Sequence, residues 1–481
     1  MKRTKIVCTI GPSSSSEKIL TQLIKAGMNV ARLNFSHGTY PEHKRVIDII
    51  RKLSQKFNQP ITILQDLQGP RIRVGVIRDT GVVLQPQETA VLTSDPKYKW
   101  RKENPNKLPV TYANMHLDVK KGEEILLVDG LIRLRILQVK GKDIICKIIM
   151  PGLVETHKGI NLPETKLSIP TITNKDKKDL EFGIKNDVDM VALSFVRSAN
   201  DVRQAKKLIG IFAKKYKKKT FPTKVVVKIE KPQAIKNFPE ILKETDGVMV
   251  ARGDLGIEMP ADKVPLMQKN MIDQCLESAK PVIVATQMLD SMIVNPRPTR
   301  AEVSDVANAV IDHTDAVMLS GETANGKYPV EAVKTMARIA LRTEKSKYDD
   351  LQFRQALVHR LHIDDAISSS ANLLARNLKV QAILVASLSG YSGRIVSRYR
   401  PELPILVTTN NEKVRRQLNL SWGVIPFILP RCKTIEELID EALVFIKKKK
   451  FVKTKDKVII IAGFPLGESG NLNWIKIQEI I

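Results

Sequence analysis

The feature that most constrains the fold is a regular alternation of short, strand-like apolar runs with segments of helical periodicity. Three such runs precede residue 70 and five follow residue 189. Strands that alternate with helices predict a parallel sheet, and eight βα units predict a (β/α)8 barrel. A doubly wound open sheet is the alternative that the strand count disfavours. The predicted strands are 6–9, 30–35, 61–67, 190–195, 225–230, 248–252, 282–286 and 316–319.

The βα rhythm is interrupted after the third predicted strand. Short alternating strands follow, Asp129-Gly130 is typical of a hairpin turn, and Arg71 and Arg73 at the entrance could close on a polyphosphate. This pattern predicts an all-β domain inserted into the barrel. After residue 342, one predicted helix and four strands indicate a smaller α/β domain. We expect barrel residues at 1–70, the inserted domain at 71–155, the rest of the barrel at 156–342 and a C-terminal α/β domain at 343–481.

Composition narrows the class of protein. No apolar run approaches the roughly 18–20 residues that a membrane span needs. The four cysteines lie far apart without a CxxC pair, which argues against a disulfide framework or zinc site and suits a reducing cytosol. The net charge of +27 favours anionic partners. We interpret the lysine-rich runs at 214–219 and 447–457 as solvated helix ends, and expect a cytoplasmic protein with no membrane or nucleic-acid partner.

Five of the apolar runs end in polar residues. Alternate side chains of a strand point to opposite faces, and a barrel carries its active site at the carboxyl ends of its strands. Walker-type loops, a GxGxxG after a strand and Ser-His-Asp arrangements are not evident, which leaves the strand-end charges as candidates. The runs are VARLNFS (30–36), VVVKIE (225–230), VMVARGD (248–254), VIVATQ (282–287) and VMLSGE (317–322). The predicted same-face groups are Arg32 with Asn34 and Ser36, Lys228 with Glu230, Arg252 with Asp254, and Ser320 with Glu322.

Glu230 and Asp254 suggest a divalent metal site. They end consecutive predicted strands, and carboxylate oxygens are ligands that Mg²⁺ or Mn²⁺ prefers. Lys228 lies one pleat deeper than Glu230; a buried pair that only stabilises the barrel is the alternative. Gly253 would expose its N–H beside Asp254 or simply form a turn. Thr286 could hold a water or hydroxyl, or be an ordinary strand residue.

Polar residues also end the second and third predicted strands. Arg32 stands where a barrel interior usually has an aliphatic residue. A guanidinium can bind a phosphate through two hydrogen bonds. Asp66 would lie next to Asn34 and Ser36, where the oxygens could bind a monovalent cation or form a plain hydrogen-bond network. His37 would face the barrel opening, in a structural or a functional role.

Eight segments resemble the signature segments of the pyruvate kinase family, in the family's order. They cover the barrel from residue 5 to about 330. The insertion resembles that family's lid domain, and the third block resembles its C-terminal domain. The segments read KIVCTIGPSS, NVARLNFSHG, DLQGPRIRVG, KGINLP, VVVKIEKPQA, MVARGDLGIE, ATQMLDSM and VMLSGETANGKYP.

The resemblance implies transfer of a phosphoryl group from phosphoenolpyruvate to ADP, which gives pyruvate and ATP in the last step of glycolysis. It implies a homotetramer. It also implies that the lid domain of each chain closes over the site and excludes water. It implies that Lys228 neutralises the phosphoryl group in transit, that Glu230 and Asp254 hold Mg²⁺ or Mn²⁺, and that Arg32 contacts the phosphate. It implies that the backbone of Arg252, Gly253 and Asp254, together with Thr286, binds the substrate carboxylate. It implies a proton relay through Thr286, Ser320 and Glu322. It also implies that the nucleotide contacts Asn34, His37, Arg73 and Lys158.

One segment departs from the family pattern. Many relatives read Asp-Thr-Lys-Gly-Pro-Glu where this chain reads Asp-Leu-Gln-Gly-Pro-Arg at 66–71. In the family the glutamate accompanies K⁺-dependent activity. Because Arg71 brings a positive charge of its own, we predict weak or absent K⁺ dependence. That charge argues against use of the monovalent-cation site that the resemblance implies at Asn34, Ser36, Asp66 and the carbonyl of Leu67.

A loop in the C-terminal block is rich in hydroxyl groups and glycine. It follows a predicted strand and precedes a predicted helix, a setting that suits a phosphate, although an ordinary βα turn is the alternative. The resemblance implies that this loop binds a phosphorylated allosteric effector. Its candidate residues are Ser387, Ser389, Gly390, Ser392, Gly393 and Arg394.

Two other functions stay open from the sequence. A barrel lyase or aldolase could use the same Mg²⁺-enolate chemistry without ADP, and would need neither the lid nor anion sites at Arg73 and Lys158. A nucleic-acid-binding protein with a degenerate catalytic site is the second alternative, and the net charge of +27 motivates it.

Overall fold

The computed structural model describes residues 1–78, 80–218, 222–349, 362–465 and 470–481. No helix within these ranges is long and apolar enough to cross a membrane. The strands are β1 (Lys5–Ile10), β2 (Val30–Asn34), β3 (Thr62–Asp66), β4 (Ile72–Arg73), β5 (Val82–Leu84), β6 (Thr89–Thr93), β7 (Lys107–Pro109), β8 (Glu124–Leu127), β9 (Ile132–Lys140), β10 (Asp143–Met150), β11 (Gly152–Val154), β12 (Gly159–Asn161), β13 (Met190–Leu193), β14 (Lys224–Ile229), β15 (Gly247–Ala251), β16 (Val282–Ala285), β17 (Ala316–Leu319), β18 (Ala382–Ala386), β19 (Ile405–Thr409), β20 (Val424–Ile428), β21 (Lys457–Ala462) and β22 (Trp474–Glu479).

The helices lie between these strands and mostly follow them one by one. They are α1 (Glu17–Ala26), α2 (Tyr40–Lys56), α3 (Met115–Asp118), α4 (Asn174–Lys185), α5 (Ala199–Lys215), α6 (Pro232–Lys236), α7 (Phe238–Glu244), α8 (Arg252–Glu258), α9 (Val264–Glu277), α10 (Arg300–Ile311), α11 (Gly321–Ala324), α12 (Pro329–Thr343), α13 (Ile363–Leu378), α14 (Tyr391–Ser397), α15 (Glu412–Leu418) and α16 (Ile435–Lys448). Short 3₁₀ helices lie at Ala261–Lys263, Asp290–Ile293 and Lys347–Asp349.

Eight parallel strands close into a barrel in the order β1-β17-β16-β15-β14-β13-β3-β2. The predicted (β/α)8 barrel is therefore confirmed, and the open-sheet alternative is wrong. A buried apolar cluster includes Val30 on β2 and Val226 on β14. Because side chains alternate along a strand, Arg32 and Lys228 share the face of these two residues. The same face of each strand thus carries apolar side chains first and polar side chains at its carboxyl end.

The first helix illustrates how local sequence sets the element boundaries. The Ser16 side chain accepts a hydrogen bond from the backbone N–H of Ile19, which caps the start of α1. Gly27 ends the helix with a φ of +117°, a left-handed conformation that glycine adopts without strain. Leu20, Leu23 and Ile24 form the buried stripe between these caps, so the helix packs against the barrel.

An inserted domain leaves the barrel after β3. Its main sheet has the order β4-β12-β8-β9-β10-β6-β7, and a two-stranded sheet pairs β11 with β5. The predicted hairpin turn lies between β8 and β9, where Asp129 and Gly130 have φ values of +53° and +87°. The entering strand β4 pairs with the leaving strand β12, which extends this sheet to Asn161. The domain boundaries at 71, 155 and 342 stay predictions.

The C-terminal domain is a five-stranded sheet in the order β20-β19-β18-β21-β22. It docks on the barrel through ion pairs with aspartates that precede barrel strands. The Asp187–Lys413 and Asp189–Arg416 pairs are 2.9 and 2.6 Å long, and Asp315 is 3.0 Å from Arg400. The amino ends of β13 and β17 therefore face the C-terminal domain, which leaves the carboxyl ends of the barrel strands free for a substrate.

Two of the predicted same-face pairs are wrong because the chain turns into a helix directly after the strand, so the alternation of the strand does not continue to both residues. β15 ends at Ala251, so Arg252 and Asp254 lie on helix α8. β17 ends at Leu319, and α11 carries Glu322. On a helix, residues two apart point in different directions, whereas residues four apart share a face.

Candidate active site

Lys228 lies at the centre of a buried polar cluster at the carboxyl end of β14. Its Nζ lies 2.7 Å from Glu230 Oε1 and 3.5 Å from Asp66 Oδ1. It also donates a 3.0 Å hydrogen bond to the hydroxyl of Ser194, just after β13. The side chain of Lys228 is only 12% exposed, so its charge interacts with these partners in a largely dry environment.

The buried charges shift one another's pKa values. Burial alone lowers the pKa of Lys228, but Asp66, Glu230 and Asp254 outweigh it and raise the pKa above its ordinary value. Burial raises the pKa of Glu230; the charge of Lys228 opposes this effect and that of Asp254 reinforces it. Burial also favours a higher pKa for Asp66, but Lys228 and Arg32 bring it below the ordinary value. Lys228 is consequently a permanent cation at neutral pH.

Arg32 belongs to the same cluster. Its Nε donates a 2.7 Å hydrogen bond to Asp66 Oδ2, and its Nη1 donates a 2.9 Å bond to the Thr9 hydroxyl. The Thr9 hydroxyl donates in turn to the carbonyl of Leu319, which ties β1 to β17. The Arg32 guanidinium is therefore held in a fixed orientation at the barrel mouth.

The segment around Thr286 is strained and lies against the start of α8. Thr286 has a φ of +69°, a conformation that β-branched residues rarely adopt. The Gly253 N–H donates a 2.7 Å hydrogen bond to the Thr286 hydroxyl, so the expectation of an exposed N–H at Gly253 is wrong. A Cβ on Gly253 would lie 3.2 Å from that hydroxyl oxygen. Such backbone strain is typical of functional sites.

The Arg252 side chain holds this strained segment in place. Its guanidinium donates to Asp305 at 2.7 Å and to the carbonyl oxygens of Thr286 and Gln287 at 2.9 and 3.3 Å. These hydrogen bonds occupy its side chain within the protein.

Ser320 and Glu322 lie together beside the segment that follows Thr286. The Glu322 carboxylate accepts hydrogen bonds from the N–H groups of Leu289 and Ser320, at 3.0 and 2.7 Å. Burial raises the pKa of Glu322. In the described part of the chain, the Ser320 hydroxyl oxygen is buried without a hydrogen-bond partner. This hydroxyl therefore has hydrogen-bonding capacity that the described residues do not use.

The residues predicted to hold a monovalent cation already bond to the protein. Asn34 Oδ1 accepts from the N–H of Ser36 at 3.1 Å, and the Leu67 carbonyl accepts from the Ser194 hydroxyl at 2.6 Å. Asp66 bonds to cationic side chains, as described above. His37 follows this group and is exposed.

The predicted nucleotide contacts on the inserted domain lie near its connections to the barrel. Arg73 donates to the carbonyl of His157 at 2.8 Å, and Lys158 forms a 2.9 Å ion pair with Glu155. A cleft between the inserted domain and the barrel is lined by residues that include Arg71, Asn161, Arg197, Lys231 and Asp254. The inserted domain thus covers the side of the barrel mouth where Asp254 lies.

Sequence reasoning did not identify Ser194, Thr9 or Phe195. Ser194 bonds to Lys228, and the Phe195 N–H donates a 2.7 Å hydrogen bond to Glu230 Oε2. Ser194 is a strand-end polar residue like the chosen ones, so the same rule applied to neutral side chains would have found it. A backbone N–H has no signal in the sequence.

Three of the candidate effector residues line a separate cavity in the C-terminal domain. Ser387, Ser389 and Ser392 share its wall with the basic residues Arg431 and Lys433. Gly390 has a φ of +80°, and a Cβ on Gly393 would lie 3.0 Å from Val407. Arg394 lines a small pocket at the boundary with the barrel, beside Lys280 and Arg398, so its part in the effector site stays a prediction.

A (β/α)8 barrel with a lysine, an arginine and buried carboxylates at its strand ends, covered by an inserted domain, defines a barrel enzyme for a small anionic substrate. Comparison with known proteins identifies the family. The family model "Pyruvate kinase, barrel domain" matches residues 1–333, and "Pyruvate kinase, alpha/beta domain" matches residues 365–478.

Individual relatives give the same result. A pyruvate kinase of Geobacillus stearothermophilus is 45% identical over 482 residues, which cover 100% of this chain and 80% of the relative. One from Staphylococcus aureus (strain USA300) is 45% identical over 483 residues, with 100% and 81% covered. The crystal structure of a pyruvate kinase from Cryptosporidium parvum superposes with a TM-score of 0.92 at 34% identity, covering 100% of this chain and 96% of the other.

The chain belongs to the pyruvate kinase family. It is an enzyme that transfers the phosphoryl group of phosphoenolpyruvate to ADP, which yields pyruvate and ATP. Kinase activity replaces both the lyase or aldolase alternative and the alternative of a nucleic-acid-binding protein with a degenerate site.

Proposed function

We propose that Lys228, Glu230 and Asp254 form the phosphoryl-transfer centre of this enzyme. The observation that carries the proposal is the 2.7 Å ion pair of Lys228 with Glu230 at a barrel strand end. A lysine that stays protonated there neutralises the PO₃ unit while it moves from phosphoenolpyruvate to ADP. The oriented guanidinium of Arg32 contacts the phosphate from the same cluster.

Glu230 and Asp254 fit a divalent cation such as Mg²⁺ or Mn²⁺. Both are oxygen donors of the kind these ions prefer, and the charge of Asp254 contributes to the raised pKa of Glu230, a repulsion that a cation relieves. Among the described residues there is no group of three His, Cys, Asp or Glu suited to a metal, so water and substrate supply the other ligands. A bound ion supplies Lewis-acid stabilisation of negative charge on the substrate.

The substrate carboxylate binds at the start of α8, where the backbone of Arg252, Gly253 and Asp254 meets Thr286. Loss of the phosphoryl group leaves an enolate that takes up a proton to become pyruvate. The buried, unpartnered hydroxyl of Ser320 supports a role in delivering that proton. Thr286 and Glu322 complete the relay.

The nucleotide binds between the barrel and the inserted domain, in contact with Asn34, His37, Arg73 and Lys158. Arg73 and Lys158 belong to the inserted domain or its connections, so closure of that domain moves their charges towards the barrel mouth. Closure also excludes water from a charge-rich transition state.

Weak or absent K⁺ dependence belongs to the same proposal. Asp66 already interacts with Arg32 and Lys228, and the hydrogen bonds of Asn34 and Leu67 lie within the protein. Arg71 adds a further positive charge near the site, 3.7 Å from Asp129 of the inserted domain. These contacts leave little need for a monovalent cation.

An assay of pyruvate formation from phosphoenolpyruvate, ADP and Mg²⁺, with and without K⁺, tests this prediction. We expect the wild type to keep most of its turnover when K⁺ and Na⁺ are omitted. Arg71→Glu removes the positive charge at this position and should make the enzyme depend on K⁺. We expect its rate with K⁺ to be about tenfold higher than its rate without K⁺, which corresponds to roughly 1.4 kcal/mol. Arg78→Glu makes the same charge change at an exposed position and should not. Abolished wild-type turnover without K⁺ contradicts the prediction.

We also propose that a phosphorylated metabolite regulates the enzyme at the cavity of the C-terminal domain. Serine hydroxyls of the loop and the cations Arg431 and Lys433 converge on that cavity, a combination suited to phosphate oxygens. The candidate loop residues of this site are Ser387, Ser389, Gly390, Ser392, Gly393 and Arg394.

A negative charge in the cavity should repel such an effector. We expect one of a panel of sugar phosphates and nucleoside monophosphates to change the apparent KM for phosphoenolpyruvate by roughly 5-fold or more. Ser389→Glu should remove that response, while Ser369→Glu, at an exposed position of α13, should keep it. A response that survives Ser389→Glu, or no response to the panel, rules this site out.

We further propose a homotetramer that works in the cytoplasm. The edge strand β22 carries half-exposed Ile477 and has one neighbour, β21, within the described sheet, so a second copy could pair along it. The four cysteines are free, which suits a reducing compartment. Sedimentation equilibrium should give the mass of four chains, and the mass of one or two chains would contradict the tetramer.

A further inference from the structure

Glu258, the last residue of α8, is a buried carboxylate outside the cluster around Lys228. Its Oε1 accepts two hydrogen bonds of 2.7 Å, from Lys231 Nζ and from Asn161 Nδ2. The Glu258 side chain is 0% exposed and that of Lys231 is 12% exposed. Three segments that are distant in sequence therefore meet at one carboxylate oxygen.

These segments connect the inserted domain with both proposed metal ligands. Glu258 follows Asp254 by four residues, so the two carboxylates share a face of α8. Lys231 directly follows Glu230 in the chain. Asn161 ends β12, the strand by which the chain leaves the inserted domain. The hydrogen bonds of Glu258 thus join the Glu230 segment, the Asp254 helix and the inserted domain.

A second contact brings the inserted domain onto the same helix. A Cβ on Gly130, in the turn between β8 and β9, would lie 3.5 Å from Ile257 Cγ2. The inserted domain therefore approaches α8 at the adjacent residues Ile257 and Glu258. Movement of that domain cannot leave α8 unaffected while both contacts persist.

The hydrogen bonding at this junction is incomplete. Glu258 Oε2 is buried and has no hydrogen-bond partner in the described part of the chain. Unsatisfied buried polar atoms are uncommon in native proteins, and they often mark strain or function. A junction built only for stability would favour full pairing of this carboxylate.

We propose that Glu258 is a positioning residue that couples closure of the inserted domain to the spacing of Glu230 and Asp254. This inference rests on the proposed role of these two carboxylates as metal ligands. When the inserted domain closes, β12 pulls on Asn161, and Glu258 transmits the movement to α8 and to Lys231. Closure of the inserted domain then brings Glu230 and Asp254 to the spacing that binds the metal most tightly.

Binding of Mn²⁺, measured by electron paramagnetic resonance in the presence of phosphoenolpyruvate and without turnover, tests this role. Glu258→Gln keeps the size of the side chain but loses the charge that holds Lys231, the chain neighbour of Glu230. It should weaken Mn²⁺ binding by about 10-fold, the low end of the effect of groups that bond to metal ligands directly. Asp262→Asn, a matched loss of charge at an exposed residue just after α8, should bind Mn²⁺ like the wild type. Unchanged Mn²⁺ affinity in Glu258→Gln overturns the proposal.

Hydrogen exchange tests whether the inserted domain and α8 are coupled or whether Glu258 has only a structural role. It also gives a result if Glu258→Gln does not fold. Addition of Mg²⁺-ADP to the wild type should protect peptides of both the inserted domain and α8. In Asn161→Ala, which keeps the Glu258–Lys231 pair, we expect protection in the inserted domain without protection in α8. Joint protection of both regions in Asn161→Ala overturns the coupling.

A Glu230→Gln variant distinguishes failure of this inference from failure of the proposed metal site on which it rests. If Glu230→Gln keeps wild-type Mn²⁺ affinity, the proposed metal site is wrong, and the inference falls with it. If Glu230→Gln loses Mn²⁺ binding while Glu258→Gln keeps it, the metal site stands and only the positioning role of Glu258 is overturned.

Discussion

Replacing Lys228 by methionine is expected to lower kcat by about 10³-fold, with a much smaller change in the KM for phosphoenolpyruvate. Methionine preserves most of the volume of the side chain but removes the only charge on it. Loss of one charge that stabilises a transition state in a dry site costs roughly 10²–10³ in rate or more. Steady-state kinetics with coupled detection of pyruvate gives both constants.

The matched control is Lys224→Met on the same strand. Lys224 begins β14, at the opposite end from Lys228, and pairs with Asp246 at 3.1 Å. The Lys224→Met variant should keep a near-normal kcat. Because Lys228→Met deprives Glu230 and Asp66 of their partner, a thermal melt must show that this variant is folded. A folded Lys228→Met enzyme with more than a tenth of wild-type kcat would contradict the assigned role.

The second large effect is expected from Glu230→Gln and Asp254→Asn. Each change replaces a charged oxygen donor by a neutral amide of the same shape, so each should raise the Mg²⁺ concentration needed for half-maximal rate by at least about tenfold. At saturating Mg²⁺ we expect kcat to stay reduced, because the charge on the substrate is less well balanced. Titration of the initial rate with Mg²⁺ measures both effects.

Removal of metal supplies the complementary control. Treatment with a chelator should abolish turnover of the wild type, and added Mg²⁺ or Mn²⁺ should restore it. Asp262→Asn should titrate like the wild type, since that carboxylate is exposed outside the cluster. A normal Mg²⁺ requirement in both Glu230→Gln and Asp254→Asn would mean that the metal binds elsewhere.

The fold could be predicted from the sequence because periodicity reports local structure. Strand-like runs and capped helices such as α1 depend on neighbours in the chain, and eight βα units leave few topologies. The alternation rule also placed Arg32 and Lys228 on the interior face. It failed at Asp254 and Glu322, because helices begin directly after their strands and the period changes from two to 3.6.

What the sequence could not provide depends on contacts between distant segments. Asn161 and Glu258 are 97 positions apart, and no local pattern predicts their hydrogen bond. The direction of Arg394 depends on which face of α14 packs towards the barrel. Thr286, with its left-handed backbone, accepts hydrogen bonds from the Gly253 N–H and the Arg252 guanidinium, and these contacts become visible only in three dimensions.

The position of the metal tests the central claim most directly. We predict that an anomalous difference map from crystals grown with Mn²⁺ and phosphoenolpyruvate in the absence of ADP shows one strong peak within about 2.2 Å of carboxylate oxygens of both Glu230 and Asp254. The phosphate of the substrate should lie within hydrogen-bond distance of Lys228 Nζ. A Mn²⁺ peak that contacts neither carboxylate, or a phosphate bound away from Lys228, would contradict the account.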